Sequence, residues 1–183
     1  KWAASGAVVC VELVTRPYDD GGAAIRKQEF KHACAYLGAE SHVQTCAVDG
    51  YLWKAITETV QMLDAICKQV NPTVIVAPCA SYHSDHRALR EIAIALARPH
   101  RYDGSLLFYP AGFEKQDDGP CVYVDITTTR HTKFQALLSY ESQITAKSLD
   151  PLAVEAVDRV NGLRCGRLMA EVFVPHRMVW EMS

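Results

Sequence analysis

Short apolar runs rich in β-branched residues alternate with amphipathic stretches along this chain, and that alternation limits the fold more than any other feature. The runs AVVCVELV at 7–14 and TVIVA at 73–77 have the length and composition of strands that are buried on both faces. The stretches between such runs carry apolar residues near a period of 3.6, which is typical of helices packed on a sheet. We therefore predict an α/β fold of Rossmann type, a three-layer α/β/α sandwich with a mostly parallel sheet.

The same patterns place the individual elements. Strands are predicted at 7–14, 43–48, 73–77, 106–109, 121–126 and 170–174, and helices at 25–37, 56–70, 88–97, 133–144 and 151–162. A turn is predicted at Gly21–Gly22, and Gly38 is expected to end the first helix. Asp150 is the expected N-cap of the last helix, which has Pro151 at its first position.

The first residues resemble the end of a helix rather than its start. Lys1–Ser5 is followed by Gly6, the residue type that commonly closes a helix, and a strand comes directly afterwards. We therefore expect one domain over residues 1–183 whose first strand and first loop lie upstream of residue 1. A short helical start is the alternative.

Composition excludes several classes of protein. The chain has 19 basic and 21 acidic side chains, a net charge of −2, so no basic surface for nucleic acid is expected. No apolar run approaches the roughly 18 residues that a membrane-spanning helix needs. The seven cysteines are odd in number and never form C-x-x-C, which favours reduced thiols in a cytoplasmic protein over a disulfide or zinc framework.

The densest polar cluster follows the predicted strand at 73–77. His83, Asp85 and His86 lie on the loop that leads into the next helix, at the edge where parallel sheets bind ligands. Histidine is the commonest transition-metal ligand, and a neighbouring carboxylate can fix its orientation. The residues alone are equally compatible with a metal site and with a solvated loop in which Asp85 is an ordinary helix N-cap.

The loop His83-Ser84-Asp85-His86-Arg87-Ala88 resembles the H-x-D-H-R-A motif of the PIG-L/LmbE-like family of zinc-dependent N-deacetylases. Further segments are similar to that family in the same order: Arg26 and Glu29 with Ala33 and Leu37-Gly38, Asp49-Gly50, Asp125-Ile126-Thr127 with Lys133, Ala136-Leu137, Tyr140 with Ser142-Gln143, and Ala170-Glu171 with Phe173. Each segment alone is weak evidence, whereas their order and spacing together are specific.

The resemblance implies an LmbE-like fold and a hydrolase that removes an N-acetyl group from an amino sugar or a related small-molecule conjugate. It implies one divalent metal, normally Zn²⁺, with His86 as a ligand, His83 stabilising the oxyanion and Asp85 orienting a histidine. The candidate substrate-binding residues are Arg26, Glu29, Tyr82 and Tyr109. Arg26 as a solvated helix residue remains the alternative.

One family motif has no counterpart in these residues. The H-P-D-D-E motif supplies two of the three metal ligands and the general base in that family, and Tyr18-Asp19-Asp20 lacks its histidine. We expect the motif upstream of residue 1. If this lineage has lost it, the protein is an inactive relative that binds a sugar-like ligand, or a structural subunit. Assembly into a homo-oligomer is left open.

The remaining candidates are weaker. Tyr109, Pro110 and Phe113 could form the wall of a substrate pocket or simply a loop of packed aromatic rings. His131 and His176 have no partners at metal-ligand spacing and are predicted to be surface residues. Residues 117–120 (DDGP) are typical of a turn.

Overall fold

A computed structural model describes residues 1–111 and 119–179 and has a mixed α/β fold, as the alternation of the sequence predicts. Its strands are β1 (Cys10–Arg16), β2 (Glu40–Val48), β3 (Val74–Pro78), β4 (Ser105–Tyr109), β5 (Val122–Asp125) and β6 (Ala170–Arg177). Its α-helices are α1 (Asp20–Leu37), α2 (Ile56–Val70), α3 (Ser84–Leu96), α4 (Arg130–Leu138), α5 (Glu141–Thr145) and α6 (Pro151–Arg164). Two short 3-10 helices cover Ala3–Ser5 and Leu52–Ala55.

Contacts divide the chain into two compact units. The first unit consists of Lys1–Asp49 and Tyr123–Glu171, and the second of Gly50–Val122 and Val172–Ser183. Strand pairing is partly parallel: β1 pairs with β2 and β3 with β4 in parallel, whereas β4 pairs with β6 in the antiparallel direction. The predicted mostly parallel sheet therefore includes an antiparallel pair.

Helix α1 begins earlier than the sequence pattern predicts. The Asp19 side chain accepts a hydrogen bond from the Gly22 backbone N–H, so the helix starts at Asp20 and runs through the predicted Gly21–Gly22 turn. A Cβ atom at Gly22 would lie 2.8 Å from Asp19 Oδ2, which explains why glycine stands inside a helix. The prediction for Gly38 is confirmed, because this residue ends α1 with a φ of 66°.

Other boundaries also differ from the prediction. Helix α3 starts at Ser84 instead of 88, and the single helix predicted at 133–144 is two helices, α4 and α5. Strand β6 was predicted at 170–174 but continues through Pro175 to Arg177. Proline is tolerated there although Pro175 lies opposite Leu107, beside an irregularity in the β4–β6 register, because the ladder is already distorted at that point.

The core of the second unit lies between β3, β4 and α3. Ala77 on β3, Ala93 on α3 and Phe108 on β4 are all at least nine-tenths buried, and Leu106 is completely buried. Small alanines on the facing strand and helix let the two elements approach closely, while Leu106 and Phe108 fill the remaining volume. This packing fixes the end of β3 relative to the start of α3, and the polar loop joins these two ends.

All seven cysteines are free thiols, as predicted. Only Cys34 is buried and the other six are half-buried, so the thiols lie mostly at the margin of the core rather than inside it. Within residues 1–111 and 119–179, no helix combines the length and the apolar character that crossing a membrane requires.

Candidate active-site residues

The loop between β3 and α3 places the two predicted site histidines at the beginning of a helix. His83 is the N-cap of α3, and its Nδ1 accepts a hydrogen bond from the Asp85 backbone N–H at 3.3 Å. The alternative interpretation of Asp85 as the N-cap is therefore wrong, since His83 takes that position. Because the accepting nitrogen carries no proton, the neutral His83 ring carries its proton on Nε2.

Asp85 is a buried anchor for a neighbouring turn. Its side chain is only 3% exposed, and its two carboxylate oxygens accept hydrogen bonds from the backbone N–H groups of Gly50 (2.8 Å) and Leu52 (3.0 Å). The Ser84 hydroxyl donates to the Gly50 carbonyl oxygen at 3.0 Å. Gly50 has a φ of 83°, a conformation that favours glycine. Asp85 and Ser84 thus fix the turn at Gly50 against the start of α3.

His86 is held by a serine from the same loop. The Ser81 hydroxyl lies 2.7 Å from His86 Nδ1 and accepts a hydrogen bond from the His83 backbone N–H at 3.0 Å. The His83 and His86 rings have centroids 5.0 Å apart. Ser81 is a residue whose role the sequence analysis missed; a hydroxyl five positions before a candidate metal ligand is the signal that could have indicated it.

Arginine fixes the rest of the loop. Arg87 Nη1 donates to the backbone carbonyl oxygens of Ser81 at 2.9 Å and of Tyr82 at 2.8 Å. These bonds give the loop one conformation, because a guanidinium group holds both carbonyls in a fixed geometry. The loop is consequently organised before any ligand binds.

His86 is the residue of this segment that the family resemblance implies as a metal ligand. Ser81 engages Nδ1 of His86 and thereby restricts the orientation of the ring. In the described part of the chain, His86 belongs to no group of three histidine, cysteine or acidic side chains with ligand-forming separations. Catalytic zinc sites normally use three protein ligands, so His86 alone does not make a metal site.

The two candidate tyrosines of the second unit differ in burial. Tyr82 follows Ser81 in the loop and is 93% exposed. Tyr109 ends β4, and its carbonyl oxygen accepts a hydrogen bond from the Cys79 backbone N–H at 2.8 Å. Desolvation raises the pKa of the Tyr109 phenol, although the residue is 41% exposed. Phe113 and residues 117–118, which the sequence analysis also considered, lie outside the described residues.

The other two predicted site residues, Arg26 and Glu29, lie together on α1 in the first unit. The Arg26 Nε donates to a Glu29 carboxylate oxygen at 3.3 Å. Glu29 is 7% exposed and also accepts hydrogen bonds from the Ser142 backbone N–H (2.6 Å) and hydroxyl (2.7 Å). The Arg26 guanidinium lies 6.0 Å from the centre of the Tyr140 ring. Two segments that are 113 residues apart in sequence therefore meet.

A pocket of about 420 Å³ opens beside this cluster in the first unit. Its polar lining includes Arg16 at the end of β1, Arg26 on α1, Asp49 after β2 and Ser142 on α5. Glu29 is not part of the lining but holds both Arg26 and Ser142. Arg26 thus lines the pocket, is paired with Glu29 and keeps 25% of its side chain exposed.

A half-buried lysine connects two further segments that the family resemblance singled out. Lys133 Nζ lies 2.7 Å from an Asp158 oxygen and 2.7 Å from a Glu171 oxygen. Desolvation alone would lower the pKa of Lys133, but the carboxylates of Glu171 and Asp158 outweigh it and raise the pKa above its usual value. Burial raises the pKa of Asp158 despite the neighbouring lysine. This cluster joins α4, α6 and β6 within the first unit.

The predicted residues therefore fall into two groups. Arg26 and Glu29 form one cluster in the first unit, while His83, Asp85, His86 and Tyr82 share one loop in the second unit, with Tyr109 on the adjacent strand end. His131 and His176 are exposed, as predicted.

Solved structures share this fold. The conserved protein TT1542 from Thermus thermophilus has 25% sequence identity, a TM-score of 0.82, and matches 99% of this chain and 87% of its own. The zinc-inhibited form of the teicoplanin deacetylase Orf2 has 17% identity and a TM-score of 0.77, covering 95% and 89%. N,N′-diacetylchitobiose deacetylase from Pyrococcus horikoshii has 21% identity and a TM-score of 0.75, covering 95% and 74%. At such identities the two deacetylases show the fold alone.

Comparison of the sequence identifies the family as well as the fold. No curated protein matches the chain at a significant level. Residues 2–97, just over half of the 183 residues, match the family described as PIG-L, GlcNAc-PI de-N-acetylase. The matched range contains Arg26, Glu29 and the whole histidine loop. This chain belongs to the PIG-L family.

Proposed function

We propose that this protein is a metal-dependent hydrolase that removes an N-acetyl group from an amino-sugar conjugate. The observation that carries the proposal is the loop Ser81–Arg87, in which two histidines at a helix N-terminus are oriented by hydrogen bonds before substrate binds. Membership of a family described by a de-N-acetylase supports the reaction class. Deacetylase neighbours with the same fold are consistent with it.

His83 is proposed to stabilise the developing oxyanion of the tetrahedral intermediate. Its Nδ1 accepts from the Asp85 backbone N–H, so the neutral ring carries a proton on Nε2 that can be donated. Preorganised donors aimed at developing negative charge are among the largest contributions to catalysis. Asp85 is proposed as a positioning residue, because its carboxylate holds the Gly50 turn against the helix that carries both histidines.

His86 is proposed as a metal ligand, with Ser81 fixing its ring. A bound divalent metal, proposed to be Zn²⁺, would polarise the amide carbonyl and lower the pKa of its water to about 7. In the family that the chain resembles, the remaining ligands and the general base come from an H-P-D-D-E motif, which residues 1–183 do not contain. Since a zinc-inhibited form of teicoplanin deacetylase is known, the assay should vary the metal and its concentration.

The pocket of the first unit is proposed to bind the sugar conjugate. Its volume of about 420 Å³ lies within the roughly 300–1,000 Å³ of small-molecule sites. Arg16, Arg26, Asp49 and Ser142 offer the donors and acceptors that sugar hydroxyls and linked polar groups require. Tyr82 and Tyr109 remain proposed substrate contacts of the second unit.

Acetate release from N-acetylglucosaminyl conjugates tests the proposal directly. The protein as encoded by its gene should release acetate and leave a free amine, lose this activity after chelation, and regain it when Zn²⁺ or another divalent metal is added back. Acetate release that persists after chelation would contradict the proposed metal dependence. The absence of release from every N-acetylated sugar conjugate would contradict the proposed deacetylation.

A second candidate is an inactive relative that binds a sugar-like ligand, or a structural subunit. One observation favours it: the described residues provide His86 but no three-ligand group that includes it. Binding on a glycan array without acetate release would support the ligand-binding form, and assembly without any ligand would support the structural one. The free thiols of all seven cysteines support a proposed cytoplasmic location, because disulfides form mainly in oxidising compartments.

A further inference from the structure

Four potential metal-binding side chains lie on one face of the β1–β2 pair in the first unit. Cys10 and Glu12 are two residues apart on β1, and Glu40 and His42 are two residues apart on β2. In the parallel register, Cys10 is opposite Glu40 and Glu12 is opposite His42. Because side chains alternate between faces along a strand, all four belong to the same face.

The distances within this cluster suit a tetrahedral ion. The Cys10 Sγ lies 3.6 Å from Glu40 Oε2, and His42 Nε2 lies 3.8 Å from the same oxygen. The ligand atoms of Cys10, Glu40 and His42 all lie within 4.8 Å of one another. Metal–ligand bonds of about 2.0–2.3 Å in a tetrahedron place ligand atoms about 3.3–3.8 Å apart. Only small side-chain adjustments would bring the three groups to one ion.

Glu12 provides the interaction that usually orients a metal-bound histidine. Its Oε1 lies 2.6 Å from His42 Nδ1. With Nδ1–H donating to this carboxylate, the lone pair of the ring is on Nε2, the nitrogen that lies towards Glu40 and Cys10. Such carboxylate–histidine pairs fix the ring and increase the basicity of its ligating nitrogen.

A second observation points independently to a cation. Glu12 Oε2 is buried and has no hydrogen-bond donor among the described residues. A buried carboxylate oxygen without a partner is costly, and a nearby positive ion would compensate it. Glu40 is 63% exposed at its side chain, so the cluster is accessible to an ion from solvent and leaves room for a water ligand.

We infer that Cys10, Glu40 and His42 form a zinc-binding site in the first unit, with Glu12 as a positioning residue. A set of thiolate, imidazole and carboxylate suits Zn²⁺ better than it suits Mg²⁺ or Ca²⁺. The site joins β1 to β2 and stands apart from the His86 loop in its residues and its chemistry. It does not depend on the proposed deacetylase activity.

Cobalt binding tests this inference, because Co²⁺ replaces Zn²⁺ and absorbs light when a thiolate is its ligand. Metal-free protein titrated with Co²⁺ should develop a thiolate-to-cobalt charge-transfer band with one equivalent. Cys10→Ser should abolish the band, and His42→Gln should weaken cobalt binding by about tenfold or more. Cys46→Ser, which changes another half-buried thiol on β2, and His86→Ala should both retain the band.

Glu40→Gln changes a side chain that is 63% exposed, so we expect little effect on folding. It should keep the melting temperature of the metal-free protein and weaken cobalt binding by about tenfold. No thiolate band in the unmodified protein, a band that survives in Cys10→Ser, or unchanged cobalt affinity in Glu40→Gln would overturn the inference. In each of those cases the cluster is an ordinary set of cross-strand contacts between His42 and the two glutamates.

Discussion

The two units each hold their candidate site residues with one buried carboxylate, but the carboxylates act on different partners. Asp85 in the second unit accepts hydrogen bonds from the backbone of Gly50 and Leu52. Glu29 in the first unit accepts from Ser142 and also pairs with the Arg26 side chain. Asp85 therefore fixes the path of the main chain, whereas Glu29 also fixes a side chain that lines a pocket.

We therefore expect Asp85 to matter mainly for the conformation of its loop, and Glu29 to matter also for ligand binding. A carboxylate that binds only backbone amides is needed for the loop to exist in its observed conformation. When a carboxylate positions an arginine, replacing it should change the pocket and leave part of the fold intact. Substitutions in the second unit should thus affect stability first, and those in the first unit should affect ligand affinity as well.

The largest effect is expected for Asp85→Ala. Hydrogen bonds to a charged group contribute about 1.5–3 kcal/mol, and removing this carboxylate also leaves two backbone donors without a partner. We expect the free energy of unfolding to fall by about 3 kcal/mol in urea denaturation. Asp103→Ala, an exposed aspartate of the same unit, should change it by less than about 0.5 kcal/mol. Equal effects of the two substitutions would show that Asp85 is not an anchor.

Glu29→Ala should have a smaller effect on stability and an additional effect on binding. The Ser142 backbone N–H and hydroxyl lose their acceptor, and we expect a loss of about 2 kcal/mol. Because Arg26 loses its partner in this variant, KM for the sugar conjugate should rise by a larger factor than kcat falls. Lys31→Ala, an exposed position on the same helix, is the control and should change neither. An unchanged KM in Glu29→Ala would contradict the claim that Glu29, unlike Asp85, also positions a ligand-binding side chain.

Ser81→Ala tests the orientation of His86 without removing an anchor. Loss of a hydrogen bond to a metal-binding histidine typically costs 10–100-fold in activity or metal affinity, and we expect about tenfold here. The urea midpoint should move little, since Asp85 and Arg87 still hold the loop. A loss of activity equal to that of His86→Ala, or no loss at all, would contradict a purely orienting role.

The smallest effect concerns alkaline pH in the second unit. The Tyr102 hydroxyl donates to the Ser105 carbonyl oxygen at 2.9 Å, and desolvation raises the pKa of this phenol to about 12. The stabilisation by the neutral phenol is complete below pH 10 and is lost as the pH rises through 12. The stability difference between the unmodified protein and Tyr102→Phe should therefore shrink by about 1 kcal/mol between pH 9 and 11.

Urea unfolding at several pH values measures that difference. Tyr36→Phe, which changes an exposed tyrosine, should show no pH-dependent difference from the unmodified protein over the same range. A constant difference for Tyr102→Phe would mean that Tyr102 titrates like an exposed tyrosine.

Patterns in the sequence predicted what depends on local spacing. The alternating apolar runs predicted the fold class, and Gly38 predicted the end of α1. Asp150 was predicted as the N-cap of α6, and its side chain accepts hydrogen bonds from the backbone N–H groups of Leu152 and Ala153. The histidine loop was recognisable because its residues are adjacent in the chain. Each of these features is determined within a few residues, where periodicity and residue type carry the information.

Other features depend on side chains that meet across the fold. Asp19 reaches over Gly22 and starts α1 early, and His83 takes the N-cap position that Asp85 was expected to occupy. The contact between Glu29 and Ser142 spans 113 residues and has no local signal beyond the family resemblance. The β1–β2 cluster was missed because it depends on strand register, which no single strand specifies.

The central claim is that the loop Ser81–Arg87 carries the catalytic machinery, and one pair of variants tests it most directly. The rate of acetate release from an N-acetylglucosaminyl conjugate should fall by about 100-fold or more in His86→Ala, since a metal ligand is removed. It should stay within about twofold in His100→Ala, which changes an exposed histidine of the same unit. A His86→Ala protein that is folded and as active as His100→Ala would contradict the account.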